Sequence, residues 1–300
     1  MSEIIQPDAG CPDSTGICLA QPSLYKSFWP EVKNNSYFRN RLDYLDFLRN
    51  QGGRLFYISG TLHTIPPFIL MGKWRDREEI AAIWHLKARE DDKRALVFGS
   101  TEECLRHGVE RIMTRLLDQA EANEFESWGF EVAYEIVLME KPPLDVSQAL
   151  HYKGGVDIVN YKRKYLEEIL RVDAAAFDEF WSLDARSMGH IASSCVTNAF
   201  ILAREGREVL GYAIGGVNGR LGYLQRLGVN PVHQGNGLGQ LLAGNLMRSM
   251  YRMGAIRILV NTQEDNRAAL NLYRKLGFIR TPGRRYIMHY KAEARTKGGR

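Results

Sequence analysis

The segment LGVNPVHQGNGLGQLLAGNLMRSMY, residues 227–251, constrains this chain more than any other stretch. An apolar strand runs into a glycine-dense turn and then directly into an amphipathic helix. Gly235, Gly237 and Gly239 remove three side chains within five residues, where a helix start leaves its backbone N–H groups unpaired. Phosphate oxygens can therefore reach the backbone, helped by the positive end of the helix dipole, which is worth up to ~1 kcal/mol per charge. A pyrophosphate is the natural guest. Leu238, Leu241, Leu242, Leu246 and Met250 recur at helical spacing and predict that the helix packs on a sheet.

Spacing separates the turns that hold phosphate. The dinucleotide fingerprint GxGxxG fails because the third glycine comes one residue early, and no GxxxxGK[ST] loop occurs. What remains resembles the signature [RQ]xxGx[GA] of the GNAT acyl-CoA N-acetyltransferases, filled by Gln234, Gly237 and Gly239 after a strand-like LGV. Farther on, NTQEDNRAALNLYRKLGF resembles the family's other signature, with Asn266, Ala269, Leu272, Tyr273, Gly277 and Phe278. The two stand in order with the strand-like IRILVNT between them.

The resemblance implies a fold and a set of roles. The expected fold is the α/β (α+β) GNAT fold, a mixed, mostly antiparallel sheet flanked by helices. Acetyl-CoA is the implied cosubstrate. Leu227, Gly228 and Val229 would offer backbone groups to the acetyl carbonyl and pantetheine arm. Gln234, Gly235, Asn236, Gly237, Leu238 and Gly239 would cradle the pyrophosphate, and Asn266 would contact the pantetheine region. Tyr273 would stand beside the thioester sulfur as proton donor; aminolysis of a thioester needs an oxyanion donor and an acid for the leaving thiolate, and no metal.

A general base is harder to place. At pH 7 an α-amino group forfeits only about 1 kcal/mol to lose its proton, a lysine ε-amine roughly 4 to 5. Members of the family that acetylate ribosomal-protein and protein N-termini often keep a Glu five residues before the motif Asn; here that position is Asn261. The strand position where histone-type members keep a Glu corresponds to Tyr223. Glu264 and Asp265, Asp184, His190 and His233 are the other candidates, each also readable as an ordinary cap, loop or surface residue. A water relayed by Tyr223 or Gln225 is an equal alternative, since side chains on a strand alternate and these two share a face. Phe177, Phe180 and Trp181 lie where the family builds part of its acceptor wall, and read equally as core aromatics.

Charge and composition exclude other classes. The 40 Lys+Arg against 35 Asp+Glu leave +5, and Lys291, Arg295, Lys297 and Arg300 against Glu293 account for +3 of it. No basic patch interleaved with aromatics suggests nucleic acid. No apolar run approaches the ~18 residues that cross a bilayer, and the acidic start MSEIIQPDAG does not read as a signal peptide, so the cytoplasm is the expected compartment. Cys11, Cys18, Cys104 and Cys195 lack metal or redox spacing and read as reduced thiols.

Residues 1–35, rich in proline and small polar residues, predict an irregular or partly ordered lead-in; 36–143 a degenerate GNAT-like or accessory α/β domain; 144–155 a linker after Pro142-Pro143; 156–291 the catalytic domain; and 292–300 a basic tail. In the first half RLDYLDFL reads as helix, RLFYIS and ALVFGS as strands, TEECLRHGVERIMTRLLDQAEANEFESWG as one long amphipathic run and EVAYEIVLME as a strand. Trp128-Gly129-Phe130 resembles the Gly-Phe ending of the second signature, but nothing upstream supplies a phosphate turn. The first half is thus expected to be a degenerate GNAT-like repeat, a tandem layout that resembles the mycothiol synthases. The expected activity is acetyl transfer from acetyl-CoA to a primary amine, on a peptide N-terminus or a small molecule, by direct attack in a ternary complex. A catalytically silent acyl-CoA sensor is the alternative.

Overall fold

The computed structural model describes residues 16–33, 38, 40–60, 65–142 and 155–291. The first half runs β1 (Ile17–Leu19), α1 (Tyr25–Val32), α2 (Arg41–Asn50), β2 (Arg54–Ile58), β3 (Phe68–Trp74), β4 (Arg77–Lys87), α3 (Glu90–Arg106), β5 (Arg111–Thr114), α4 (Gln119–Ser127) and β6 (Glu131–Lys141). The second repeats the order with β7 (Asp157–Asn160), α5 (Leu166–Ala176), α6 (Ala185–Ala192), β8 (Thr197–Glu205), β9 (Glu208–Asn218), β10 (Leu221–Val229), α7 (Leu238–Arg252), β11 (Arg257–Gln263), α8 (Arg267–Lys275) and β12 (Ile279–Lys291). Among the described residues no helix is long and apolar enough to cross a membrane.

The chain divides into two compact units, Met1–Tyr134 with Tyr286–Arg300, and Glu135–Arg285. Within unit 1 the strands pair in the order β1-β2-β3-β4-β5, followed by residues 289–291 of β12. Within unit 2 they pair β7-β8-β9-β10-β11, followed by residues 136–141 of β6. Each sheet is antiparallel except for one parallel pair, β4–β5 in the first and β10–β11 in the second. Unit 1 therefore draws its sixth strand from the carboxyl end of the chain, and unit 2 draws its own from the segment before residue 142. Of the linker expected over 144–155, only Gly155 lies among the described residues.

Both sheets are covered on both faces. In unit 1, Phe56, Ile69, Met71 and Ile83 pack with Leu96 and Val97 of α3 and Phe125 of α4; Leu55, Tyr57, Phe68 and Leu70 face Phe28 of α1 and Tyr44 and Phe47 of α2. In unit 2, Ala213, Val217 and Leu224 pack with Leu242, Leu246 and Met250 of α7 and Leu270 and Tyr273 of α8. Leu202, Tyr212 and Ile214 meet Ile169 and Val172 of α5 and Met188 of α6. Alternating residues of one strand serve opposite layers.

Three expectations change. ALVFGS lies inside helix α3, not a strand, and the long amphipathic run after it is the end of α3, then β5, then α4; the apolar residues needed by a strand and by a buried helix face coincide in so short a window. The expected lead-in contains β1 and α1, because Tyr25, Phe28 and Val32 are buried and override Pro30 within the helix. Cys18 is disulfide-bonded, not reduced; Cys104 and Cys195 are free, and Cys11 lies outside the described residues.

Candidate active site

The site follows from where β10 leaves its neighbour. The parallel pairing of β10 with β11 runs from Leu221–Arg257 to Leu224–Val260 and stops. Beyond it, β10 stays on β9 across a bulge between Leu224 and Arg226, and β11 stays on β6 to Gln263. A bulge adds an unpaired residue and bends the strand. Residues 225–229 and 261–263 are thus not paired with each other, and the gap can take a ligand's extended arm. Gly228 lies here because a Cβ would come 2.6 Å from the Tyr212 ring.

After β10 the chain turns. Gln234 Nε2 donates back to the Val229 carbonyl at 2.9 Å, and Asn230 Oδ1 accepts from Val232 N. Gly235 and Gly237 take φ of 80° and 88°, a region in which side chains strain. Gln234, Gly235 and Asn236 are exposed, Gly237 and Gly239 half-buried, and Leu238 is buried beneath α7. The α7 cap, Gly237, has no side chain to offer, and no acid sits in the first turn. Among the described residues, the N–H groups from Gly235 to Gln240 donate to no protein acceptor. A row of unpaired donors at a helix start suits an anion.

The second motif lies against the first. A Cβ at Gly239 would sit 3.5 Å from Leu272, so the start of α7 meets α8 one residue before Tyr273. Asn266 caps α8 by accepting from Ala269 N at 3.1 Å. The Tyr273 ring packs 5.6 Å from Phe278 and is 6% exposed. Its hydroxyl has no partner among the described residues, yet is not sealed from solvent. Burial raises its pKa above the ordinary tyrosine value, and the charge of Arg226 acts against that rise.

Several of the base candidates are engaged. Glu264 forms a forked ion pair with Arg280. Asp184 caps α6 by accepting from Ser187 N at 2.6 Å. His233 lies 3.7 Å from Glu208; His190 is half-buried in α6, and Asp265 is exposed. Tyr223 is half-buried on the face opposite Leu224, and Gln225 Nε2 donates to Ser194 Oγ.

Sequence reasoning missed the centre of this region. Arg226, 8% exposed, donates from Nε and Nη2 to Asp173 Oδ2 at 2.9 and 2.6 Å, and from Nη2 to the Trp181 carbonyl at 2.9 Å. Asp173 Oδ1 accepts from Leu183 N at 2.6 Å, and Oδ2 also accepts from the Tyr212 hydroxyl. The guanidinium stacks 3.4 Å above the Phe177 ring. Burial raises the Tyr212 pKa, so its hydroxyl remains a donor. The available signal was Asp173 on the buried face of α5 with Ile169 and Val172, since a buried carboxylate needs a partner.

Comparison with known proteins fits this geometry. Residues 166–278 match the model of the acetyltransferase (GNAT) family. A mycothiol acetyltransferase of a Nocardioides species is 29% identical over 175 residues, 51% of this chain and 59% of that protein; the chain thus spans less than two thirds of that relative's length. A tandem GNAT protein from the clavulanic acid biosynthesis pathway superposes with a TM-score of 0.70 at 13% identity, covering 92% of this chain and 98% of its own. A GCN5-related N-acetyltransferase from Sphaerobacter thermophilus gives 0.57 at 14% identity, covering 92% and 95%. At such identities the structures speak to fold alone. Residues 166–278 thus resemble the GNAT acetyltransferase domain, and the fold of the chain as a whole is that of the tandem GNAT structures.

Proposed function

We propose that unit 2 transfers an acetyl group from acetyl-CoA to a primary amine by direct attack in a ternary complex. The observation that carries this reading is the row of unpaired N–H groups from Gly235 to Gln240, beside the parted strands and within one helix contact of Tyr273. Those donors would hold the diphosphate, and the backbone of Leu227, Gly228 and Val229 would lie along the pantetheine arm and polarise the thioester carbonyl. Asn266, already the α8 cap, would border that arm. The Tyr273 hydroxyl would give its proton to the departing sulfur. Burial keeps the phenol protonated at neutral pH, as an acid must be, and the Arg226 charge tempers the accompanying loss of acidity.

The engagement of Glu264 by Arg280 and of Asp184 in its cap favours the silent-sensor alternative. The two readings part on Tyr273→Phe. Acetyl transfer to a panel of peptide and small-molecule amines, the latter suggested by the relative named for mycothiol, is expected to fall by about 10²-fold or more with acetyl-CoA affinity unchanged. Tight binding of acetyl-CoA without release of CoA to any amine, and no effect of the substitution on thioester hydrolysis, would establish the sensor.

A further inference from the structure

The Arg226 network offers a substitute for the missing base, on the reading that unit 2 acylates an amine. Asp173, Tyr212 and the Trp181 carbonyl occupy Nε and Nη2, whereas Nη1 has no partner among the described residues and is not sealed from solvent. The side chain is otherwise more than nine-tenths buried. Arg226 follows the bulge, on the part of β10 that has left β11, next to Gln225 and on the layer of Phe177 and Trp181. Titratable groups facing it are Asp173 from α5, Tyr212 from β9, Tyr273 from α8, Tyr223 along β10 and, beyond Gln225, Cys195. Asp178 and Glu179, after α5, are exposed. Asp173 lies behind the guanidinium, and Tyr273 feels Arg226 as a positive charge.

A fixed cation disfavours a second cation beside it and leaves a neutral amine untouched. We propose that Arg226, through the Nη1 that the Asp173 network leaves free, fixes a positive charge at the acceptor side of the cleft in place of a general base, so that the acceptor is held as the neutral amine and weakly basic amines are preferred over lysine-like ones. The neutral nitrogen attacks the thioester carbonyl carbon and the C–S bond breaks. The sulfur leaves with the Tyr273 proton, the new amide nitrogen gives its surplus proton to water, and the phenolate recovers one from solvent. Arg226 neither gains nor loses a proton, in keeping with its very weak acidity.

The test is the pH dependence of kcat with glycinamide, ethanolamine and propylamine, in order of rising basicity. The acid limb of kcat reports the bound amine. Arg226→Met would leave Asp173 buried and unpaired, so the informative variant is Asp173→Asn with Arg226→Gln, which removes both charges; Arg226→Lys keeps the positive one. For the wild type, kcat/KM falls along the series and each acid limb lies below the pH at which the free amine titrates. In the neutralised variant the limb moves up by about one pH unit, roughly a tenfold loss of kcat at pH 7 regained at high pH, while in Arg226→Lys it stays. Loss by the same factor at every pH would reduce the network to scaffolding and overturn the proposal, as would an unmoved limb. Calorimetry with acetyl-CoA separates the remaining outcomes: binding without turnover of any amine overturns the proposal and the transferase reading together, whereas absent binding removes the cofactor site itself.

Discussion

At the end of β10 the chain spends residues 230–237, two of them left-handed glycines, before α7 begins without an acid in its first turn. At the corresponding place in unit 1, β4 ends at Lys87, only Ala88 and Arg89 intervene, and α3 opens on Glu90, Asp91 and Asp92. The two units share strand order, the position of the parallel pair and helices on both faces. Their helix starts have opposite chemistry. Carboxylates at a helix start answer the dipole from within and repel a diphosphate; an uncapped glycine turn leaves the dipole to an outside anion. The two units share their architecture and differ in the one turn that would hold the proposed diphosphate.

The largest effect should come from inverting that turn. Gly237→Glu puts a carboxylate into the proposed cradle and a side chain at φ 88°, and is expected to weaken CoA binding by about 10²-fold or more in calorimetry, with circular dichroism unchanged. Neutralising unit 1 instead, with Glu90→Gln, Asp91→Asn and Asp92→Asn together, should create no second CoA site, because the glycine turn is still missing. A stoichiometry rising from one to two would show that charge alone had silenced that half.

A smaller contrast concerns the last helix of each unit. Asp118 forms a full capping box with Glu121 at the start of α4, and Asn266 caps α8 alone. Asp118→Ala and Asn266→Ala should each cost about 1 kcal/mol in denaturant unfolding. Only the second should also weaken acetyl-CoA binding, if that cap borders the pantetheine arm. Equal silence of both variants toward the cosubstrate would reduce Asn266 to a cap.

What could be read from the chain beforehand was local in sequence. The glycine turn, the Asn266 cap and Tyr273 sit in short windows, and periodicity placed α2, β2, β6 and most of unit 2. The acidic opening of α3 was hidden because ALVFGS imitates a strand. Arg226 and Asp173 stand 53 residues apart, and in the alternating strand LGYLQRLGV Arg226 has the same parity as Leu224, which points it at the α7 layer rather than at α5. The bulge after Leu224 instead sets it beside Ile214, on the layer of α5 and Asp173, and no turn residue gives notice of that bulge. The pairing of β6 with β11 and of β12 with β5 was equally hidden, since strand pattern specifies a buried face and not a partner.

Acid should distinguish the units by the smallest margin. His85 and His289 both belong to unit 1, and burial lowers the pKa of each, reinforced by Arg115 and Lys87 at the first and by Lys291 and Arg111 at the second. Glu31 and Glu131 oppose the shifts. Above the unfolded value of about 6.5 both histidines are neutral in either state and add nothing to the pH dependence. As the pH falls below it, the unfolded chain takes up protons that the folded unit resists, so the stability they lend is present above that pH and lost on the acid side. Burial raises the pKa of Glu124 in the same unit, which acts in the opposite sense near the carboxylate range, below this window. Trp29, Trp74, Trp84 and Trp128 lie in unit 1 and only Trp181 in unit 2, so tryptophan fluorescence reports chiefly the first. Its thermal midpoint should drop by a few degrees between pH 7.5 and 5.5, and His85→Phe, which keeps a ring stacked on Phe68, should flatten the drop. An undiminished drop in that variant would assign the acid sensitivity to other groups.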